Sequence, residues 1–143
     1  MLCTLFVCAL IPGCSGKTAM KTDYVEGTIT YKGSPVADAN VSFSPISGGS
    51  PAYGRTDAQG LYKLQTQLGA VDQGTTPGEY VVIVSKNETV PTGKKEIDSD
   101  GNEVEITTSK SLLPKIYGSA TTSPLKASVV GGKNSLDFEL ADK

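Results

Sequence analysis

The sequence predicts an all-β fold, a sandwich of about seven short strands. Three observations point there. Apolar and polar residues alternate with period two in one segment after another. No stretch keeps the helical period. The 16 Gly and 8 Pro of the 143-residue chain fall mostly between the alternating segments, where turns belong. Two sheets packed face to face are the simplest way to bury such half-apolar strands, and a closed barrel is the second possibility.

The strands can be justified in order. In residues 24–31, Val25, Ile29 and Tyr31 alternate with Glu26, Thr28 and Thr30. Gly27 falls on the inner face, where it lets a neighbour approach closely. Lys32-Gly33-Ser34-Pro35 is a turn, with Gly33 free to take positive φ and Pro35 presetting its own. Residues 39–45 place Val41 and Phe43 inward, and Pro45 ends the strand or marks an edge. Ser47-Gly48-Gly49-Ser50-Pro51 is a loop. A short strand over 52–56 leads to the turn Thr56-Asp57-Ala58-Gln59-Gly60, in which Asp57 can bond its own backbone. Residues 61–66 form the fourth strand, with Tyr62 and Leu64 on one face. A loop of small and polar residues covers 68–76.

Pro77-Gly78 then opens the strongest strand of the chain, residues 79–85. Tyr80 to Val84 are five consecutive aromatic or β-branched residues, which favour an extended backbone. Apolar side chains on both faces put this strand inside the assembly rather than at an exposed edge. Residues 86–111 form a polar insertion without a clear strand. Residues 94–98 and 103–107 could make a small hairpin about Ser99-Asp100-Gly101-Asn102. Long polar insertions are usually mobile or functional. Leu112 to Tyr117 reads as an apolar loop or a short turn of helix. The last two strands, 125–130 and 135–140, are joined as a hairpin by Gly131-Gly132-Lys133-Asn134.

Composition narrows the function. The net charge is −2, from 13 basic and 15 acidic residues, and no cationic stripe suits nucleic acid. The chain has no His and no Trp, so the usual general base near neutral pH is absent. That disfavours the common serine, cysteine and zinc hydrolases. A Ser-Lys dyad is formally open. Gly16-Lys17-Thr18 fails as a phosphate-binding loop, because the required upstream glycine position holds Ile11.

Residues 1–13 are apolar but too short for the roughly 20 residues that span a bilayer. They suit the h-region of a secretory signal. Ile11-Pro12-Gly13-Cys14 resembles the lipobox of bacterial lipoproteins, which implies a diacylglycerol thioether on Cys14 and removal of residues 1–13. The segment departs from that class in having no Lys or Arg before Lys17. The other reading is a first core strand or helix over residues 2–11. Under the lipoprotein reading Cys3 and Cys8 are lost with the signal, so no thiol ligand or nucleophile remains in the mature chain. Residues 14–23 are then the lipidated Cys and a flexible polar tether, and 24–143 the sandwich domain.

Three blocks carry a second resemblance: Gly27 to Phe43, Thr56 to Leu64, and Pro77 to Val84. Together they resemble the carboxypeptidase regulatory-like domain, an immunoglobulin-like, transthyretin-like β-sandwich found in small bacterial lipoproteins. The likeness is good over 25–85 and moderate over 112–140. It implies a fold, with no zinc or peptidase residue of the domain's own and no cofactor. A related group, the collagen-adhesin B-type domains, forms an internal Lys–Asn isopeptide bond. Lys32 and Asn134 are present here, but the assisting acid's position holds Val84.

Few residues remain as site candidates. Asp98, Asp100, Asn102 and Glu103 offer oxygen ligands for Ca²⁺. Their glycine falls at the fourth position of the run rather than the sixth that such a loop uses, and a hairpin turn explains the run as well. Tyr53 and Tyr117, if exposed, could stack on a sugar ring, although a Tyr on a sandwich surface or under a loop is more commonly structural. The expectation is a non-enzymatic, lipid-anchored cell-envelope protein facing the periplasm or exterior, held to the membrane through Cys14. A carbohydrate- or protein-binding module presenting an external ligand is the alternative, and an enzyme the least favoured reading.

Overall fold

Alternation along β1 (Val25–Tyr31) turns Val25, Gly27 and Ile29 into the core and leaves Glu26 and Thr28 half-exposed. The computed structural model describes residues 22–66 and 74–142, and within them the regular structure is strand apart from one 3₁₀ turn, with no α-helix. Lys32 and Gly33 follow β1 with φ of 51° and 79°, the two-residue geometry that matches the twist of a hairpin. β2 (Ser34–Pro35) returns antiparallel on β1, so Pro35 lies in a short strand rather than in the turn. Next come β3 (Asn40–Pro45), β4 (Ala52–Arg55), β5 (Leu61–Lys63), β6 (Gln65–Thr66) and β7 (Gly78–Ser85). The insertion supplies β8 (Asn87–Ile97) and β9 (Glu103–Ser111), and a single 3₁₀ turn spans Lys115–Gly118. β10 (Lys126–Val129), β11 (Asn134–Ser135) and β12 (Phe138–Leu140) complete the chain.

β1 is the centre of one sheet. β2 and β5 pair antiparallel along one side of it, and β11 and β12 pair parallel along the other. The second sheet runs β10-β7-β3-β4-β6, antiparallel throughout. β7 is therefore an internal strand, as its two apolar faces predict. Its Tyr80, Val82 and Val84 are at most 2% exposed. One core lies between the sheets. The Phe43 ring of β3 sits 5.8 Å from Tyr80, 6.1 Å from Tyr62 and 6.2 Å from Phe138, so it touches both layers. The layering is compatible with a β-sandwich.

The twelve strands exceed the predicted seven by five: Ser34–Pro35 adds one, residues 61–66 and 135–140 each divide into two, and the insertion adds two. Residues 61–66 are not one strand. β5 pairs with β1, while β6 pairs with β4 in the other sheet. The chain crosses between layers at Leu64, which is fully buried. Gly54 permits the crossing, since a Cβ there would stand 2.6 Å from the Lys63 carbonyl oxygen. Residues 131–134 are likewise not a hairpin, because β10 belongs to the second sheet and β11 to the first. Asn134 makes this corner. Its side chain accepts from Val130 N and donates to Val130 O, while its backbone N–H donates to Tyr24 O. Finally, β8 and β9 in the insertion are the longest strands described, at 11 and 9 residues. Of the predicted loop over 68–76, residues 68–73 lie outside the described residues.

Gly27 shows why β1 can be central. Tyr62 stands opposite it on β5. The Tyr62 hydroxyl reaches across β1 to donate to Leu136 O on the far side, at 2.6 Å. A Cβ at Gly27 would overlap that carbonyl and crowd the hydroxyl. The Gly27→Ala protein is therefore expected to lose about 3 kcal/mol of stability through overpacking of buried backbone. Tyr62→Phe keeps the ring and should lose about 1 kcal/mol with the hydrogen bond. Urea unfolding of both variants, read as a lower midpoint at unchanged slope, checks the order.

Candidate functional site

The acidic run of the insertion is the tip of the β8–β9 hairpin. Asp98 N–H donates to Asn102 O and Gly101 N–H to Asp98 O, closing the turn. One Asp98 carboxylate oxygen accepts from the backbone N–H of Asp100 and of Asn102, at 2.9 and 2.8 Å. The other faces the Asn102 side-chain amide at 3.4 Å. Glu103 pairs with Lys95 at 2.9 Å. Asp98 thus spends its lone pairs on the turn. Among the described residues, no group of three or more His, Cys, Asp or Glu converges as a metal cage.

Tyr117 takes the structural place of the two offered for it: it is a buried residue rather than an exposed platform. It is 2% exposed and lies in the 3₁₀ turn. Its hydroxyl donates to Ala141 O at 3.0 Å and accepts from Ala141 N at 3.1 Å, fixing the chain after β12. Lys32 and Asn134 sit at opposite ends of β1. Asn134 aligns with Val25, and Lys32 follows seven residues later, about 23 Å along a strand. Lys32 pairs with Asp142 instead. Val84 is core. Asp57 behaves as its turn predicts: one carboxylate oxygen accepts from Gln59 N and Leu61 N, and Gly60 takes a φ of 76°. Among the described residues, no serine hydroxyl bonds a lysine amine. Cys14 lies outside the described residues.

Tyr53 remains exposed, at 43%. β4 presents it outward, opposite Gln65 on β6 and Ser42 on β3. Ser42 in turn faces Ile83 on β7. An open groove of about 520 Å³ runs beside the ring, with Arg55, Asp57, Lys63 and Gln65 on its walls. Arg55 pairs with Asp38 at 3.3 Å, in an exposed contact. A flat aromatic face flanked by an amide, a guanidinium and an ammonium suits a polyhydroxylated ring or an extended polar peptide. The sequence pointed to Tyr53 alone. Gln65 and Lys63 join it only because the chain changes sheets at Leu64. Outward alternation of residues 63 and 65 was the signal available; their neighbour was not.

The turn has a pH signature. The backbone N–H of Asn102, with that of Asp100 adding to it, holds the Asp98 carboxyl below its ordinary value of 3.8. A lowered folded value means that the contribution is complete above the unfolded value and disappears as pH falls through the folded one. Amide exchange at Asp100 and Asn102 is expected to accelerate only below that ordinary value. In Asp98→Ala it should be fast already at neutral pH, with the core amides of β7 unchanged. Hydrogen-exchange NMR across the acid range checks both.

No protein-family model matches the chain, and no curated protein matches it. Among solved structures, the crystal structure of a 9R-lipoxygenase from Cyanothece PCC8801 aligns with a TM-score of 0.40 at 13% identity. The alignment covers 85% of this chain and 16% of the lipoxygenase chain. A likeness of that strength carries no argument about fold or activity.

Proposed function

We propose that this chain is a non-enzymatic, lipid-anchored protein of the cell envelope, whose β-sandwich serves in binding or assembly. The observation that carries the reading is Ile11-Pro12-Gly13-Cys14 at the end of a short apolar segment and ahead of a polar one. Cys14 takes diacylglycerol on its thiol, residues 1–13 are removed, and residues 14–23 tether the domain. Two or three acyl chains, at about 0.8 kcal/mol per buried CH₂, hold such a protein firmly where one does not. The sandwich is of the immunoglobulin-like, transthyretin-like kind seen in carboxypeptidase regulatory-like domains. Supporting this, the three sequence blocks of that resemblance fall on core and turn positions: Gly27 under Tyr62, the Asp57–Gly60 turn, and inward Tyr80, Val82 and Val84. Supporting the non-enzymatic part, the chain has no His, and the hydroxyls of Tyr62, Tyr80 and Tyr117 are committed to backbone carbonyls.

The Tyr53 groove favours a second reading, a module that binds a carbohydrate or a polar peptide outside the membrane. Arg55, Lys63 and Gln65 supply the hydrogen bonds and Tyr53 the stacking face.

The anchor is tested in cells of the producing organism with a clickable fatty-acid analogue. The chain is expected to take the label and to sediment with membranes. Cys14→Ser should lose the label and move to the soluble fraction, and an unlabelled parent chain would sink the anchor. The groove is tested by glycan-array and pull-down screens with the Cys14→Ser protein. Any ligand found should bind about tenfold more weakly to Tyr53→Ala. No ligand above background would count against this second reading.

A further inference from the structure

The β8–β9 hairpin is poorly provided for by its own chain. A two-stranded sheet is marginal in water unless more strands or a packed face support it. Yet no residue of β8 or β9 is fully buried. Ile97 is 66% and Val104 42% exposed.

Its two edges differ. In an antiparallel pair, alternate residues turn N–H and C=O toward the partner and away from it. At the base, Leu112 N–H donates to Lys86 O, so residues 86 and 112 face each other. At the tip, Asp98 N–H donates to Asn102 O, so 98 and 102 do too. Counting from either end along β9 gives the same phase, despite the irregularity between Pro91 and Lys95 on β8. Glu103, Glu105, Thr107, Ser109 and Ser111 therefore turn their backbone groups outward. That edge has neither Pro nor Gly along its length. The β8 edge is blunted instead. Pro91, one of its outward positions, has no N–H, and Gly93 follows in the irregular stretch with φ of 73°.

We propose that the β9 edge is the docking site for a second copy of this chain. Two β9 strands pair antiparallel about a two-fold axis at Thr107, joining two hairpins into one four-stranded sheet. This register overlaps all nine residues of β9, and every outward donor meets an outward acceptor. It sets Thr107 against Thr107 of the second copy, Glu105 against Ser109, and Glu103 against Ser111, with no like charges opposite one another. On the other face Ile106 lies opposite Thr108 of the second copy and Val104 opposite its Lys110, with the two Ile106 side chains diagonal to one another across the axis. Charge favours the same direction. Around the tip Glu96, Asp98, Asp100, Glu103 and Glu105 outnumber Lys94 and Lys95, and at the base Lys86 and Lys110, with Lys115 just beyond it, outnumber Glu88. Antiparallel overlay brings the acidic tip of each copy beside the basic base of the other. A two-fold contact of this kind is self-complementary and closes at a dimer.

The test uses the full chain carrying Cys14→Ser, so that no shared micelle holds copies together. Sedimentation velocity over a wide concentration range should show a dimer that dissociates on dilution and on adding salt. Thr107→Pro removes an outward N–H from β9 and should weaken association at least about tenfold. Thr89→Pro removes the matching outward N–H from β8 and should leave it unchanged. Thr107→Cys, with the native cysteines replaced by Ser, should form an intermolecular disulfide, since a hydrogen-bonded pair spaces Cα atoms by about 5.5 Å. Thr89→Cys should not. Fast amide exchange at Asp100 and Asn102 in Thr107→Pro would mark a melted hairpin, and the cross-link then decides. A chain monomeric at every concentration, equal effects of the two prolines, or equal cross-linking at 89 and 107 would overturn the proposal. The first outcome would leave the edge to a strand from a different protein.

Discussion

The first sheet depends on one crossing. Tyr62 lies over Gly27, and its hydroxyl bonds Leu136 O beyond β1. The contact joins three stretches of chain that are remote in sequence. It works only because β1 has no side chain at that point. Leu136 lies between β11 and β12, where regular pairing lapses. The gap is bridged by Leu136 N–H to Glu26 O and by the Asp137 carboxylate, which accepts from Thr28 N–H at 2.7 Å. Burial pushes the Tyr62 phenol above its ordinary range, so it stays a donor throughout the accessible pH range. The carbonyl it satisfies belongs to the half-buried Leu136, and the bond ties that irregular stretch to β5.

The same device recurs in the other buried tyrosines. Tyr80 donates to Thr76 O at 2.7 Å, tying the start of β7 to the chain before it. Tyr117 clasps both backbone groups of Ala141. In each case a large ring fills the core, and its polar end pins an irregular segment that no ladder holds. Asn134 does this at the β10–β11 corner with an amide in place of a phenol. Polar groups that look like site candidates in a list of residues are here the fasteners of corners and strand ends. Among the described residues, the Tyr53 groove and the hairpin stand apart from these fasteners as outward surfaces.

Those two surfaces follow from the second sheet. β7 runs through the core and continues past Lys86 into β8, so the hairpin is an outgrowth of an internal strand. β4 borders the crossing at Leu64, and the crossing builds the groove wall. The described residues thereby carry two different presentations: a concave, aromatic one with mixed charge, and a long polar strand edge.

The sequence by itself determined the local matters. Period-two alternation gave β1, β3, β7 and β10 and their inward residues, because side chains on a strand must alternate whatever it pairs with. Close approach at Gly27 and the Asp57–Gly60 turn were legible for the same reason: each is set by a residue's own backbone freedom or its own carboxylate. Tyr53 was legible as an outward aromatic, but its groove was not. What only the tertiary structure decided was pairing. Nothing local says that residues 61–66 change sheets, that β11 lies parallel to β1, or that Tyr117 is buried. The hairpin about residues 99–102 was legible from its turn residues, but its extent over 87–111 was not, because those residues bury no face and alternation is a signal of burial rather than of extended backbone. Pairing is chosen by contacts between residues far apart in the chain, and those are visible only once both layers are in place.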